Sequence, residues 1–160
     1  MRASNPYTLV FGQPPVEIIE RTAQTERIVS EFCQDRPANY INLVTGVRGS
    51  GKTVFITQLA NRFRSKKEWV VIDLNSQRDL LQSLAAKLDS DRDLNRMFRE
   101  AEINLQAFGL GVEIKGSPRI TDIEEALSRM LRSIKKHDKR VLITIDEANN
   151  SSEMRVFASA

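Results

Sequence analysis

Apolar residues recur along this chain in two rhythms, and the changes of rhythm divide it into helices and strands. The helical spacing is clearest in Lys52–Arg64, where Ile56, Leu59, Ala60 and Phe63 share one face. It returns with Leu80, Leu81, Leu84 and Leu88 over residues 77–88, for which Asn75 and Ser76 offer caps. Leu94, Met97, Phe98, Ala101 and Leu105 predict a helix over Asp91–Phe108. Ile123, Ala126, Leu127, Met130, Leu131 and Ile134 predict another. Thr121 caps that one, in a Thr121-Asp122-Ile123-Glu124 box. Val16–Cys33 is helical, its main part starting at Thr22 or Thr25, and Ser151 or Ser152 opens a last helical piece.

Three short runs are mostly apolar and β-prone: Tyr40–Thr45, Trp69–Leu74 and Val141–Glu147. Such runs fit parallel strands buried on both faces. Residues 1–15 carry Asn5-Pro6, Gly12 and Pro14-Pro15 and form an irregular lead-in. Residues 34–39 are a turn, and the glycine-punctuated stretch 108–116 is a loop or a small hairpin. Strands alternating with helices predict an α/β fold, a parallel sheet with helices on both faces and right-handed crossovers.

Between the first strand and the first strongly periodic helix lies Gly46-Val47-Arg48-Gly49-Ser50-Gly51-Lys52-Thr53. The pattern is G-x-x-x-x-G-K-[ST], with Val54 following inside the helix. Glycines let backbone N–H groups approach a phosphate chain closely. Lys52 then reaches the β- and γ-phosphates, and the hydroxyl of Thr53 serves Mg²⁺. The helix beginning at Lys52 aims its positive end at the same anion. A glycine-rich turn with no ligand is the alternative, and the strand–loop–helix context argues against it.

The third apolar run ends in Asp146-Glu147. In open α/β sheets, ligands bind at the carboxyl ends of strands. There Asp146 would hold Mg²⁺ through water, and Glu147 would orient and deprotonate an attacking water. A solvated strand end is the bland alternative for this pair taken alone.

The 160 residues suffice for one domain with a real core. Cys33, the single cysteine, excludes an internal disulfide and a multi-cysteine metal site. No run approaches membrane-spanning length and no apolar signal core opens the chain, so the expected location is cytoplasmic, away from membranes. The net charge is +3 and the pI about 9.2, with cations gathered at Arg62–Lys67 and Arg129–Arg140. These are solvated helix ends in the plain reading. Contact with DNA is the alternative, although no aromatic residues interleave with the charges.

Taken together, the two motifs make the chain resemble an AAA+-type P-loop ATPase, similar to the bacterial and archaeal origin-recognition-like group. Asn5-Pro6-Tyr7-Thr8, Phe11-Gly12 and Pro14-Pro15 resemble that group's lead-in. Glu20-Arg21 with Glu26-Arg27-Ile28 loosely matches its GR-x-x-E box, departing from it at Glu20. The resemblance implies a P-loop NTPase fold, ATP or ADP with Mg²⁺ as ligands, and an adenine pocket near Val16–Arg21. It also implies that Asn75 restrains Glu147; a helix cap is the equal alternative there. The family sheet has five strands in the order 5-1-4-3-2, and residues 1–160 would supply strands 1 to 3, the N-terminal portion of the domain. An incomplete sheet invites a homo-oligomer or a strand-donating partner. Three functions remain open: a Mg-dependent ATP-hydrolysing switch or motor, a nucleotide-binding regulatory module with negligible turnover, and a DNA-associated ATPase.

Overall fold

The computed structural model describes residues 21–76, 79–110, 120–148 and 151–159. The lead-in, Val16–Glu20 and most of the glycine-punctuated stretch lie outside them. The chain divides into two units, Met1–Phe55 and Ile56–Ala160.

In the first unit, helix α1 spans Thr22–Phe32 and buries Thr25, Ile28 and Phe32. The Asn39 side chain closes the following turn on the Glu31 carboxylate at 2.7 Å. The expected strand Tyr40–Thr45 does not form, and the segment is irregular. Tyr40, Ile41 and Leu43 are 76 %, 82 % and 78 % exposed. A strand is held by its neighbours' backbone groups. Among the described residues both strands that form pair with each other and neither reaches this segment.

Helix α2, Lys52–Arg64, has the bounds its periodicity predicts. In the second unit, β1 (Trp69–Asn75) lies parallel to β2 (Arg140–Asp146), with Trp69 opposite Arg140 and Asn75 opposite Asp146. The sheet of the described residues thus has two strands where three were expected. Its two faces differ. Val70, Ile72 and Leu74 share one face with Val141, Ile143 and Ile145, and this face joins the core. The other face carries Trp69, Asp73, Arg140 and Thr144.

The first face is covered by α3 (Leu80–Ser90) and α5 (Ile123–Lys136), and α4 (Arg92–Glu100) packs against both helices in the same core. Leu80, Leu84 and Leu88 of α3 are at most 3 % exposed. Each such leucine contributes about 1.5–3 kcal/mol by leaving water, more than the ~1 kcal/mol of a helix cap. Burial therefore fixes this helix, and the cap sets where it starts. That cap is Asp79, which accepts from the Gln82 N–H at 3.0 Å; the expected caps Asn75 and Ser76 end the strand instead. Similarly Asp122, not Thr121, caps α5 by accepting from the Glu124 N–H. Asp is as good a cap as Thr or better, and its shorter reach to the second N–H wins.

Helix α4 is shorter than predicted. It stops at Glu100, with Glu102 in the left-handed region at φ 55°. The Ile103 N–H donates to Phe98 O and the Glu102 N–H to Arg99 O. This is a Schellman ending, with the apolar contact of Ile103 and Phe98 both buried. The residues after it form a 3₁₀ turn, Gln106–Phe108. The same ending closes α5, where Asp138 is left-handed at φ 55° and the Lys139 N–H donates to Ile134 O. A short helix α6, Ser152–Ser159, follows β2.

Candidate functional site

Two groups of residues carry the chemistry expected of the sequence. The loop belongs to the first unit, and the acid pair to the second.

The loop leaves the irregular segment, turns at Arg48–Gly51 and enters α2 at Lys52. Its turn is closed by the Ser50 N–H on Val47 O at 3.2 Å. Gly49 and Gly51 are left-handed at φ 80° and 79°, conformations that L-residues adopt only at a cost. A Cβ on Gly46 would meet Ser50 Oγ at 2.8 Å, so the Ser50 hydroxyl would have to turn aside. Lys52 folds back over the turn, its Nζ donating to Gly46 O at 2.9 Å and Val47 O at 3.0 Å. The ammonium is thereby stationed above the loop by two neutral acceptors, which an anion would replace with stronger partners. The first-turn N–H groups of α2, at Lys52, Thr53 and Val54, stand at the helix N-terminus and lie beside that ammonium in sequence. Backbone N–H groups at a helix N-terminus, glycines that allow close approach and one cation suit a phosphate chain. Thr53 is exposed at the second position of α2, and Arg48 is exposed at the turn.

Arg21 holds this loop from the start of α1. Its guanidinium donates to Ser50 O at 2.7 Å and lies 6.0 Å over the Phe55 ring. Arg21 is the last residue of the expected adenine pocket, whose other residues, Val16–Glu20, lie outside the described ones.

In the second unit, Asp146 ends β2 half-buried and Glu147 follows it, exposed. Glu147 is left-handed at φ 55°. Its N–H donates to Asp146 Oδ1 at 2.9 Å, and its carbonyl accepts from the Ser76 hydroxyl at 2.9 Å. Asn75 stands opposite Asp146 in the register. The bond from the end of β1 to Glu147 comes from the next residue, Ser76, which the sequence reading treated only as a cap. Its role becomes visible only once the register aligns the two strand ends.

A second feature that the sequence hid sits on the polar face of the sheet. Asp73 Oδ1 accepts from Thr144 Oγ1 at 2.5 Å, its other oxygen pairs with Arg64 of α2, and Lys87 of α3 donates to its carbonyl. The visible signal was one acid inside an otherwise apolar run. The cluster borders a cleft of about 430 Å³ at the outer edge of β1, lined by Arg64, Val71, Asp73, Lys87, Asp91 and Lys139 among others. Its cations and carboxylates balance, and it includes neither the loop nor Asp146 and Glu147. Among the described residues no group of three His, Cys, Asp or Glu side chains gathers to hold a metal. None of their helices is long and apolar enough to cross a membrane.

The sequence model of one protein family, an ATPase domain predominantly from Archaea, matches residues 22–156. The chain belongs to this family. The match begins with α1 and runs through the loop, the sheet and into α6, so both groups of candidate residues lie inside the ATPase domain. No curated protein and no solved structure matches the chain significantly. ATPase-type nucleotide binding is therefore the functional class that family membership supports.

Proposed function

We propose that this ATPase domain binds ATP with Mg²⁺ and hydrolyses it as a switch or motor module. The observation that carries the reading is the loop, with two left-handed glycines and the Lys52 ammonium stationed over it. In this reading Gly46–Val54 wrap the phosphates and Lys52 neutralises the β- and γ-oxygens. The reading assigns ligands to the metal as well. The Thr53 hydroxyl and the Asp146 carboxylate at the end of β2 are its candidate ligands in this reading. Hard oxygen donors of this kind suit Mg²⁺. Bound there, the metal would supply charge neutralisation of the phosphates. Glu147, whose carboxylate is exposed at the strand end, would orient and deprotonate the attacking water.

A regulatory module with negligible turnover shares the loop and differs only at Glu147. Two substitutions separate the readings. Lys52→Ala is expected to weaken MgATP binding at least ~10-fold, since it removes a charge-assisted contact to phosphate. Glu147→Gln is expected to bind MgATP as the parent does and to lose turnover by about 10²-fold or more. Equal phosphate release by parent and Glu147→Gln refutes the assignment of Glu147. Undiminished binding by Lys52→Ala refutes the phosphate loop itself.

A further inference from the structure

We propose that Ser76 is a positioning residue for Glu147, acting on the peptide rather than on the carboxylate. The inference rests on the reading of Glu147 as the residue that activates water. Ser76 is the residue just after β1 and is 5 % exposed. Its hydroxyl crosses to the Glu147 carbonyl at 2.9 Å, joining residues 71 apart in sequence. The bond adds one rung beyond the last register pair, Asn75 and Asp146. That rung is made by a side chain because the backbone has already turned at Ser76.

Glu147 needs such a restraint. It is a non-glycine residue at φ 55°, a conformation that costs an L-residue free energy. Both polar groups of its peptide are engaged, the N–H by Asp146 Oδ1 and the carbonyl by Ser76. The side chain itself is exposed. The backbone sets the Cα–Cβ direction from which that side chain starts, and the backbone is pinned at two points. One pin comes from the neighbouring acid, which the metal would share. The other comes from Ser76, a buried hydroxyl just past the end of the adjacent strand. Without it the left-handed turn is free to relax, and the carboxylate moves off the line of a water above the strand ends. Displacements of this size slow a reaction without weakening ground-state binding.

The test compares Ser76→Ala with Ser76→Thr, which keeps the hydroxyl. Steady-state ATP hydrolysis, thermal melting and amide hydrogen exchange would be measured on each. Ser76→Ala is expected to lower kcat about 10-fold, to leave KM within about twofold, and to speed exchange at the Glu147 amide. Exchange in the interiors of β1 and β2 should stay as in the parent. Ser76→Thr should recover most of the turnover and the slow exchange; melting shows whether its added methyl is accommodated. Parent-like kcat and exchange in Ser76→Ala overturn the proposal. So does a fall in kcat matched by a lower melting temperature and faster exchange throughout both strands, which is a structural effect alone. A parent without turnover, with Glu147→Gln indistinguishable from it, defeats the reading of Glu147 instead. Ser76 is then judged on exchange, and an unchanged Glu147 amide in Ser76→Ala refutes the restraint.

Discussion

Replacing Gly49 by alanine isolates the conformational demand of the loop from every packing effect. Gly49 sits at φ 80°, and a Cβ placed there meets no heavy atom within 4 Å. The substitution therefore adds no clash and leaves only the left-handed penalty, about 1–2 kcal/mol for an L-residue. The surroundings decide where that penalty appears. Val47 is 79 % exposed, and Arg48 and Gly49 are exposed beside it. The loop without ligand therefore relaxes with little packing to lose. Closing it around a phosphate chain restores the left-handed turn and with it the strain. Gly49→Ala should weaken MgATP and MgADP about 5- to 30-fold, with a melting temperature within ~2 °C of the parent. Gly49→Asn should lose less, because asparagine visits this conformation more readily. Titration calorimetry with each nucleotide reads the affinities. Parent-like affinity in Gly49→Ala, with a melting temperature lowered by ~4–8 °C, refutes the argument, since the strain would then be felt before any ligand arrives.

Two predictions concern the scaffold. Phe98→Ala should destabilise the second unit by about 3–5 kcal/mol, read as a lowered urea midpoint, because the ring is 2 % exposed and seats the Schellman ending of α4. Ile41→Asp should change stability by less than ~0.5 kcal/mol, because Ile41 is 82 % exposed; a loss of several kcal/mol would mean that Tyr40–Thr45 is a buried strand in solution.

Where single rhythms were strong, the sequence was enough. The bounds of α2 follow from four apolar residues and a glycine-lysine start, and the strands β1 and β2 from short, mostly apolar, β-prone runs. The failures have separate physical causes. Tyr40–Thr45 has strand composition but finds no ladder partner among the described residues, and pairing is not written in the strand that needs it. The end of α4 was missed because Glu102, not glycine, takes the left-handed position, and the hydrogen bonds around it override its own preference. For the candidate site, the loop and the acid pair were legible as local patterns. Ser76 was not, because its significance depends on a register between segments 71 residues apart.

That separation also governs how the protein is made. Trp69 emerges from the ribosome 71 residues before its partner Arg140. At ~5–20 residues per second, β1 waits roughly 4–14 s for β2. Helices α3, α4 and α5 are synthesised in that interval, and local helices form far faster than seconds. The buried leucines of α3 already have Ile72 and Leu74 to pack against. Helices that precede the partner strand are thus available to pack on the apolar face of the first strand during translation. Slowing synthesis between Ser76 and Lys139 should be tolerated, whereas breaking the leucine stripe of α3 would leave the nascent strand bare to chaperones and to other chains.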